Sequence, residues 1–169
     1  MKSLGIALLC LLGTLSRAQE QERLVQIEKP IPEEENPLKI FLPTYSTGDF
    51  ALSASVKLNW FQAEATCASQ EGYSLVTLDS PEKHERVFLF LLNSGYFNLL
   101  NEPVWTSGSN LANASQWSWF NTGAALKYRK FQTTPNSSYR CLGLARTGYW
   151  IPEDCYAQRF FVCEKRCEK

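Results

Sequence analysis

One histidine and one methionine occur in 169 residues, so His84 is the only imidazole available for chemistry. Around it there is no His-Glu-x-x-His pattern, and no Gly-x-Ser-x-Gly occurs anywhere. No nucleophile is paired with a base in the sequence, and an enzyme is not expected. Beyond the N-terminal segment no apolar run reaches the 18 residues that suggest a membrane span. Charge of either sign is not in excess: 17 basic residues face 17 acidic ones, which gives no reason to expect nucleic acid. A Cys-x-x-Cys pair is missing. Zinc therefore has only Cys163-x-x-x-Cys167 and His84 to draw on, which is too little for a structural site.

The N-terminus is informative. Lys2 is followed by an apolar run from Leu4 to Leu15, broken only by Gly5, Gly13 and Thr14. Ser16-Arg17-Ala18 then supplies the small residues of a cleavage site. This is the layout of a secretory signal peptide, residues 1–18, too short to span a bilayer. The expected mature chain, 19–169, is secreted and extracellular. Without Lys2 and Arg17 it has 17 − 2 = 15 basic residues against 17 acidic ones, a charge near −2. Residues 19–39 hold glutamates at 20, 22, 28, 33, 34 and 35 together with Pro30, Pro32 and Pro37. They read as an acidic, extended arm with no heptad pattern. A basic set comes later: Lys127, Arg129, Lys130, Arg140 and Arg146.

Of six cysteines, Cys10 leaves with the signal peptide and five remain. Secretion permits a disulfide framework, and the odd number leaves one thiol over. Asn113-Ala114-Ser115 and Asn136-Ser137-Ser138 are sequons for N-glycosylation on the surface of such a chain.

The periodicities predict an α+β domain. Phe50-Ala51-Leu52 reads as a short strand, paired with Ile40-Phe41-Leu42. Asn59 is a good helix N-cap, with Gln62 as its capping-box partner, and Gly72 is the expected stop. Leu75 to Leu78 is a short apolar link. A second helix begins with Ser80 as cap, Pro81 in its first turn and Glu82 at the positive end, and closes at Asn93-Ser94-Gly95. His84 falls in its second turn, where a histidine is ordinarily a surface or capping residue. From Val104 on, short apolar pieces alternate with turn residues. Strands are expected at Val104–Thr106, Trp117–Phe120, Arg140–Leu144 and Arg159–Cys163. The stretch from Asn121 to Tyr139 has no regular pattern, and so long a loop calls for a functional or covalent reason.

Several of these pieces, in order, resemble the C-type lectin-like domain. They are Leu58-Asn59-Trp60-Phe61-Gln62-Ala63 with Cys67, Gly72 with Leu75-Val76-Thr77-Leu78, and Val104-Trp105-Thr106-Ser107-Gly108. Arg140-Cys141-Leu142, Tyr149-Trp150 with Cys155, and Phe160-Phe161-Val162-Cys163-Glu164 follow. The likeness covers residues 40–165. Trp105 to Gly108 and Trp119-Phe120-x-x-Gly123 look most like secreted insect members. The resemblance implies two helices with twisted antiparallel sheets and a long loop, stapled by Cys67–Cys163 and Cys141–Cys155. Cys167, in the tail 166–169, matches no family staple. It is expected to be exposed, either bonded to another chain or free.

In sugar-binding members of that family a calcium ion takes oxygens from a Glu-Pro-Asn or Gln-Pro-Asp triplet, from an acidic residue near the cysteine that Cys141 matches, and from an Asn-Asp pair after the tryptophan that Trp150 matches. Here the triplet is Thr134-Pro135-Asn136. Its proline, usually preceded by a cis bond in the family, is kept, while threonine replaces the first ligand. Tyr139 and Arg140 stand in place of the acidic residue, and Ile151-Pro152 in place of the Asn-Asp pair. Only Glu153 and Asp154 are near enough to substitute. A glycan on Asn136, and the charges of Arg129, Lys130 and Arg140, would oppose a cation there. No cofactor is expected, and calcium has few of its usual ligands. Trp117, Trp119, Phe131, Tyr139 and Tyr149 are the aromatics near the loop. Trp119 and Phe131 are expected to pack, as are Trp60, Trp105 and Trp150.

Two functions fit. One is a secreted innate-immune protein that recognises microbial or host glycans, or acidic polysaccharide, with weak or absent calcium dependence. The other is a module that binds protein and not sugar, for example one subunit of a lectin dimer linked through Cys167. Candidate ligand-loop residues are Arg129, Lys130, Thr134, Pro135, Asn136, Tyr139, Arg140, Glu153 and Asp154.

Overall fold

The computed structural model describes residues 43–136 and 138–166. The predicted leader, the acidic arm and Cys167 lie outside the described residues. Strands β1 (Tyr45–Thr47) and β2 (Phe50–Leu58) form an antiparallel hairpin. Gly48 opens its two-residue turn with φ 56°, a conformation that suits glycine. The predicted strand at Phe50 is therefore longer than expected, and its described partner is Tyr45–Thr47. Ile40–Leu42 lie outside the described residues. The overlooked signal was the Gly48-Asp49 turn.

Helix α1 (Trp60–Ala68) starts as predicted. Asn59 Oδ1 accepts the Gln62 N–H at 2.9 Å, and Gln62 Oε1 accepts the Asn59 N–H at 3.3 Å. It stops earlier than Gly72. Ser69 is the C-cap, its hydroxyl bonded to the Thr66 carbonyl, and Gly72 (φ 76°) instead turns the chain into β3 (Tyr73–Leu75). Helix α2 (Pro81–Asn93) has Ser80 as its cap and buries His84, Val87, Phe90 and Leu91, a spacing that lines one helix face. His84 is 3% exposed, so it is a core residue and not a surface one. Lys83 Nζ lies 2.6 Å from Glu164 Oε2, and Glu164 Oε1 accepts the Thr77 N–H and hydroxyl, which ties α2 to the last strand.

The remaining strands are β4 (Val104–Ser109), β5 (Ser118–Trp119), β6 (Cys141–Leu144), β7 (Trp150–Glu153) and β8 (Arg159–Lys165). They run in the order β1-β2-β8-β4-β6-β7, with β3 on β8 and β5 on β4. All pairs are antiparallel except β4 with β8. Sequence pattern missed β7 because Pro152 lies inside it. At a sheet edge a proline costs no ladder bond if its missing N–H would have faced outward.

Two bridges staple this plan, and they are the expected ones. Cys67–Cys163 joins α1 to β8 across 96 residues, and Cys141–Cys155 spans 14. Both sit in a core cluster with Trp60, Trp105 and Phe161. A second cluster packs α2 against β6, Trp119 and Trp150. Trp60, Trp105 and Trp150 are at most 1% exposed, and each indole N–H has a partner: the Thr106 carbonyl, the Leu58 carbonyl and His84 Nδ1.

Candidate functional site

The described residues of the segment 121–139 have almost no regular structure, yet the segment is pinned at two places. Its first part pairs with β5: Ala124 and Trp117 carbonyls accept the N–H groups of Trp119 and Leu126 respectively. Its middle clamps Trp150, whose N–H donates to the Lys130 carbonyl and whose carbonyl accepts the Gln132 N–H. Side chains complete the seat. The Tyr128 and Phe131 rings meet the Trp150 indole edge-on at 5.3 and 5.6 Å, and Leu126 is buried. Phe131 also packs on Trp117 at 5.4 Å. Trp117 is 7% exposed, so it belongs mainly to this packing and leaves little surface for a ligand.

Beyond the clamp, Thr133 to Asn136 separates two depressions. One, of about 430 Å³, gathers six of the expected residues: Thr134, Pro135, Asn136, Tyr139, Glu153 and Asp154. The other, of about 360 Å³, is bordered by Asn110, Ser115, Trp117 and Arg129, and shares Pro135 and Asn136 with the first. Lys130 and Arg140 line neither. Lys130 Nζ lies over the Tyr149 ring at 5.7 Å. Arg140 is a structural clamp: its guanidinium bonds Asn110 Oδ1 at 3.1 Å and the Asn110 carbonyl at 2.5 Å. Arg146 is spent on the Asn98 carbonyl. Members of the basic set are thus divided among separate tasks, the guanidinium groups of Arg140 and Arg146 serving unpaired backbone carbonyls.

Arg159 was not foreseen as a site residue, and it dominates the first depression. Its Nη2 and Nε lie 2.6 and 3.1 Å from Glu153 Oε2, with both side chains about one-fifth exposed. Nη1 lies 3.6 Å from Glu102 Oε2, which also pairs with Lys57. Only the register of β8 brings Arg159 here. Its six-residue spacing from Glu153 across the Asp154 turn was the available signal.

This donor set does not match calcium, which wants six to eight hard oxygens. Glu153 is taken by a guanidinium. Asp154 Oδ1 accepts the Tyr156 N–H, and Asn136 Oδ1 accepts those of Ser138 and Tyr139. Thr134 adds only a hydroxyl. Among the described residues no cluster of three His, Cys, Asp or Glu is placed to hold a metal. No peptide bond among them is cis, so the one expected before Pro135 is trans. The sequon asparagines Asn113 and Asn136 are both exposed.

The helix pair, the looped sheet and the two staples define a C-type lectin-like domain. Residues 56–165 match the family described as Lectin C-type domain, and the chain belongs to that family. It is similar to "Salivary C-type lectin 1" of Aedes albopictus, 29% identical over 121 residues that cover 66% of this chain and 78% of the relative. Among solved structures it resembles the mouse scavenger receptor C-type lectin carbohydrate-recognition domain, with TM-score 0.58, 19% identity and coverage of 74% and 94%. It also resembles a calcium-independent type II antifreeze protein, with TM-score 0.56, 25% identity and coverage of 72% and 90%. The family is one of binding proteins, and this chain is not an enzyme. No described helix is long and apolar enough to cross a membrane.

Proposed function

We propose that this chain is a secreted recognition protein whose first depression takes microbial or host glycans, acidic polysaccharide included, with weak or absent calcium dependence. The Arg159–Glu153 ion pair carries this reading. It puts a fixed guanidinium where a metal-based site would need free carboxylate oxygens. A guanidinium fork also suits hydroxyl pairs and carboxylates of sugars. Tyr139, 45% exposed at the rim, adds a ring face for stacking. The salivary relative and the calcium-independent antifreeze relative support secretion and metal independence by likeness alone. On this reading residues 1–18 are a cleaved leader, 19–39 an arm, and Asn113 and Asn136 carry glycans. Calorimetric titration of the full mature chain with calcium should give no stoichiometric binding, and glycan-array signals should survive EDTA. Micromolar calcium binding lost on Glu153→Gln or Asp154→Asn would overturn the proposal.

A protein-binding module is the second reading, and one observation favours it. Phe61, Phe120 and Tyr156 are 40%, 55% and 71% exposed. Phe61 and Phe120 both meet Trp60, and Tyr156 meets Phe61 at 5.6 Å. Exposed aromatic groups of this kind mark contact surfaces. A dimer linked through Cys167 would run at twice the monomer mass on a non-reducing gel and collapse with Cys167→Ser. A monomer in both lanes would exclude it.

A further inference from the structure

His84 is the only histidine of the chain, and it sits under the segment that forms the candidate site. Its Nδ1 accepts the Trp150 indole N–H at 3.0 Å. Nδ1 therefore has no proton, and the neutral ring holds its single proton on Nε2. That nitrogen is buried and completes no hydrogen bond, though it lies near the Gly148 backbone. Aromatic rings surround the imidazole. Tyr128 meets it edge-on at 5.8 Å, the Trp150 ring lies beside it at 6.1 Å and nearly coplanar, and the Phe88 ring lies 6.4 Å away. Each of these elements brings its own charges. The segment contributes the Tyr128 phenol and the Lys130 ammonium, and α2 contributes Glu82, which acts on Tyr128. Trp150, the β7 partner, is uncharged, and the one charge in the Gly148 turn, Arg146, is turned to the Asn98 carbonyl.

A second proton has no place in this arrangement. It would have to go on Nδ1, turning the acceptor of the Trp150 N–H into a donor pointed at a donor. The resulting cation would be buried among rings with Lys130, another cation, nearby. No described carboxylate bonds the imidazole to compensate. Trp150 is also the residue that clamps Lys130 and Gln132, so its displacement is felt directly by the loop.

We propose that His84 is an acid-operated release for the segment 126–136: protonation breaks its bond to Trp150 and unseats the loop that carries Thr134, Pro135 and Asn136. Burial, first, and then the Lys130 charge lower the imidazole pKa from 6.5 to about 4. The sign follows. The closed state binds the proton less well than the open one, so loop stability is full above pH 6.5 and is lost as pH falls toward 4. Between pH 7 and pH 5 linkage raises the loop-opening constant about 20-fold. The release stands by itself. Only loss of ligand in acid depends on the first depression being the binding site.

Because there is one histidine, a proton NMR titration of the full chain follows His84 without assignment. It should show a midpoint well below 6.5. Hydrogen exchange of residues 126–136, corrected for intrinsic rates, should lose about 20-fold in protection from pH 7 to pH 5. Protection in β2 and β8 should not show that loss. A midpoint near 6.5, or a loop whose protection is unchanged at pH 5, would overturn the release. His84→Asn keeps an acceptor near the Nδ1 position and does not titrate, so its loop should be equally protected at both pH values. Acid lability that persists in this variant would also overturn the release. The wild-type titration tests the idea whether or not the variant folds. Glycan binding lost in acid together with loop protection would place the ligand in the depression. Loop release without any effect on binding would leave the release intact and move the ligand elsewhere.

Discussion

The region made by β2, α1 and β8 is held by backbone ladders, and the segment 121–139 by side chains. In the first, β2 and β3 flank β8, and Cys67–Cys163 crosses from helix to strand. In the second, Leu126, Tyr128 and Phe131 pack in the cluster of Trp150, and among the described residues backbone bonds join the segment to the sheet only around β5 and at Trp150. Each region holds a group whose pKa is displaced within the acid range, and the two respond to acid in opposite directions. In the ladder region Glu64 is pushed up to about 6, mainly by burial. Beneath the loop His84 is pushed down to about 4. Acid therefore tightens the frame while it loosens the face that carries the candidate site. A domain can in this way open locally without unfolding.

The largest effect should come from the staples. Chain-entropy arguments give about 4.7 kcal/mol for a loop of about 100 residues and about 3 kcal/mol for one of about 15. Replacing both Cys67 and Cys163 by alanine should therefore cost more in denaturant unfolding than replacing Cys141 and Cys155. Spectroscopic probes should also separate the two. The first pair should lower the whole transition, and the second should chiefly loosen β6, β7 and the Trp150 clamp. Equal costs, or the reverse order, would break the distinction between frame and loop.

Gly108 lies at the seam between the regions, and its replacement should have an intermediate effect. A Cβ there would come within 2.6 Å of Leu142 Cδ2, 2.9 Å of Leu142 Cβ and 3.2 Å of the Trp119 ring. Gly108 is paired with Trp119 of β5, and one of the close atoms is Leu142 Cβ, so the contact cannot be relieved by a flexible tip alone. Gly108→Ala should cost about 1–3 kcal/mol as overpacking, read as a lower thermal midpoint. An unchanged midpoint would show that β4 and β6 are less tightly seated than the frame they join.

The same division explains which features were legible in the amino-acid sequence. Asn59 with Gln62, and Ser80 with Pro81, have local partners, so cap chemistry placed both helix starts. The two disulfides came from resemblance, since spacing alone left the pairing open. What was missed depends on contacts far apart in the chain. His84 looked like a surface residue because its partner, Trp150, is 66 positions away. Arg159 is the exception, only six positions from Glu153, and it was missed because the sequence pattern does not show the β8 register that turns it into the depression. Arg140 and Arg146 reach the carbonyls of Asn110 and Asn98, and Lys130 lies over the Tyr149 ring, partners that their sequence neighbours do not disclose. Strand β7 was hidden by Pro152, which only an edge position accommodates.

Glu64 offers the smallest and most discriminating test. Its carboxylate accepts the Leu75 N–H, and Arg166 lies near enough to favour the charge, yet burial outweighs both. Oε2 is left without a hydrogen-bond partner. A raised pKa means that the folded state holds the proton more tightly than the unfolded one. The stabilising contribution is therefore complete below the ordinary value of 4.5 and disappears as pH rises through about 6. At neutral pH the ionised group is a net cost. Glu64→Gln, which keeps the shape and an acceptor for Leu75, should raise stability at pH 7 by about 1 kcal/mol once solvent screening is allowed for. It should also remove the gain that the parent shows between pH 6 and 4.5. With that gain gone, the loss caused by His84 would stand alone, and the variant should weaken in acid from pH 6.5 downward. A variant whose pH profile matches the parent's would show that the frame does not respond to acid, and the opposition between the two regions would reduce to His84.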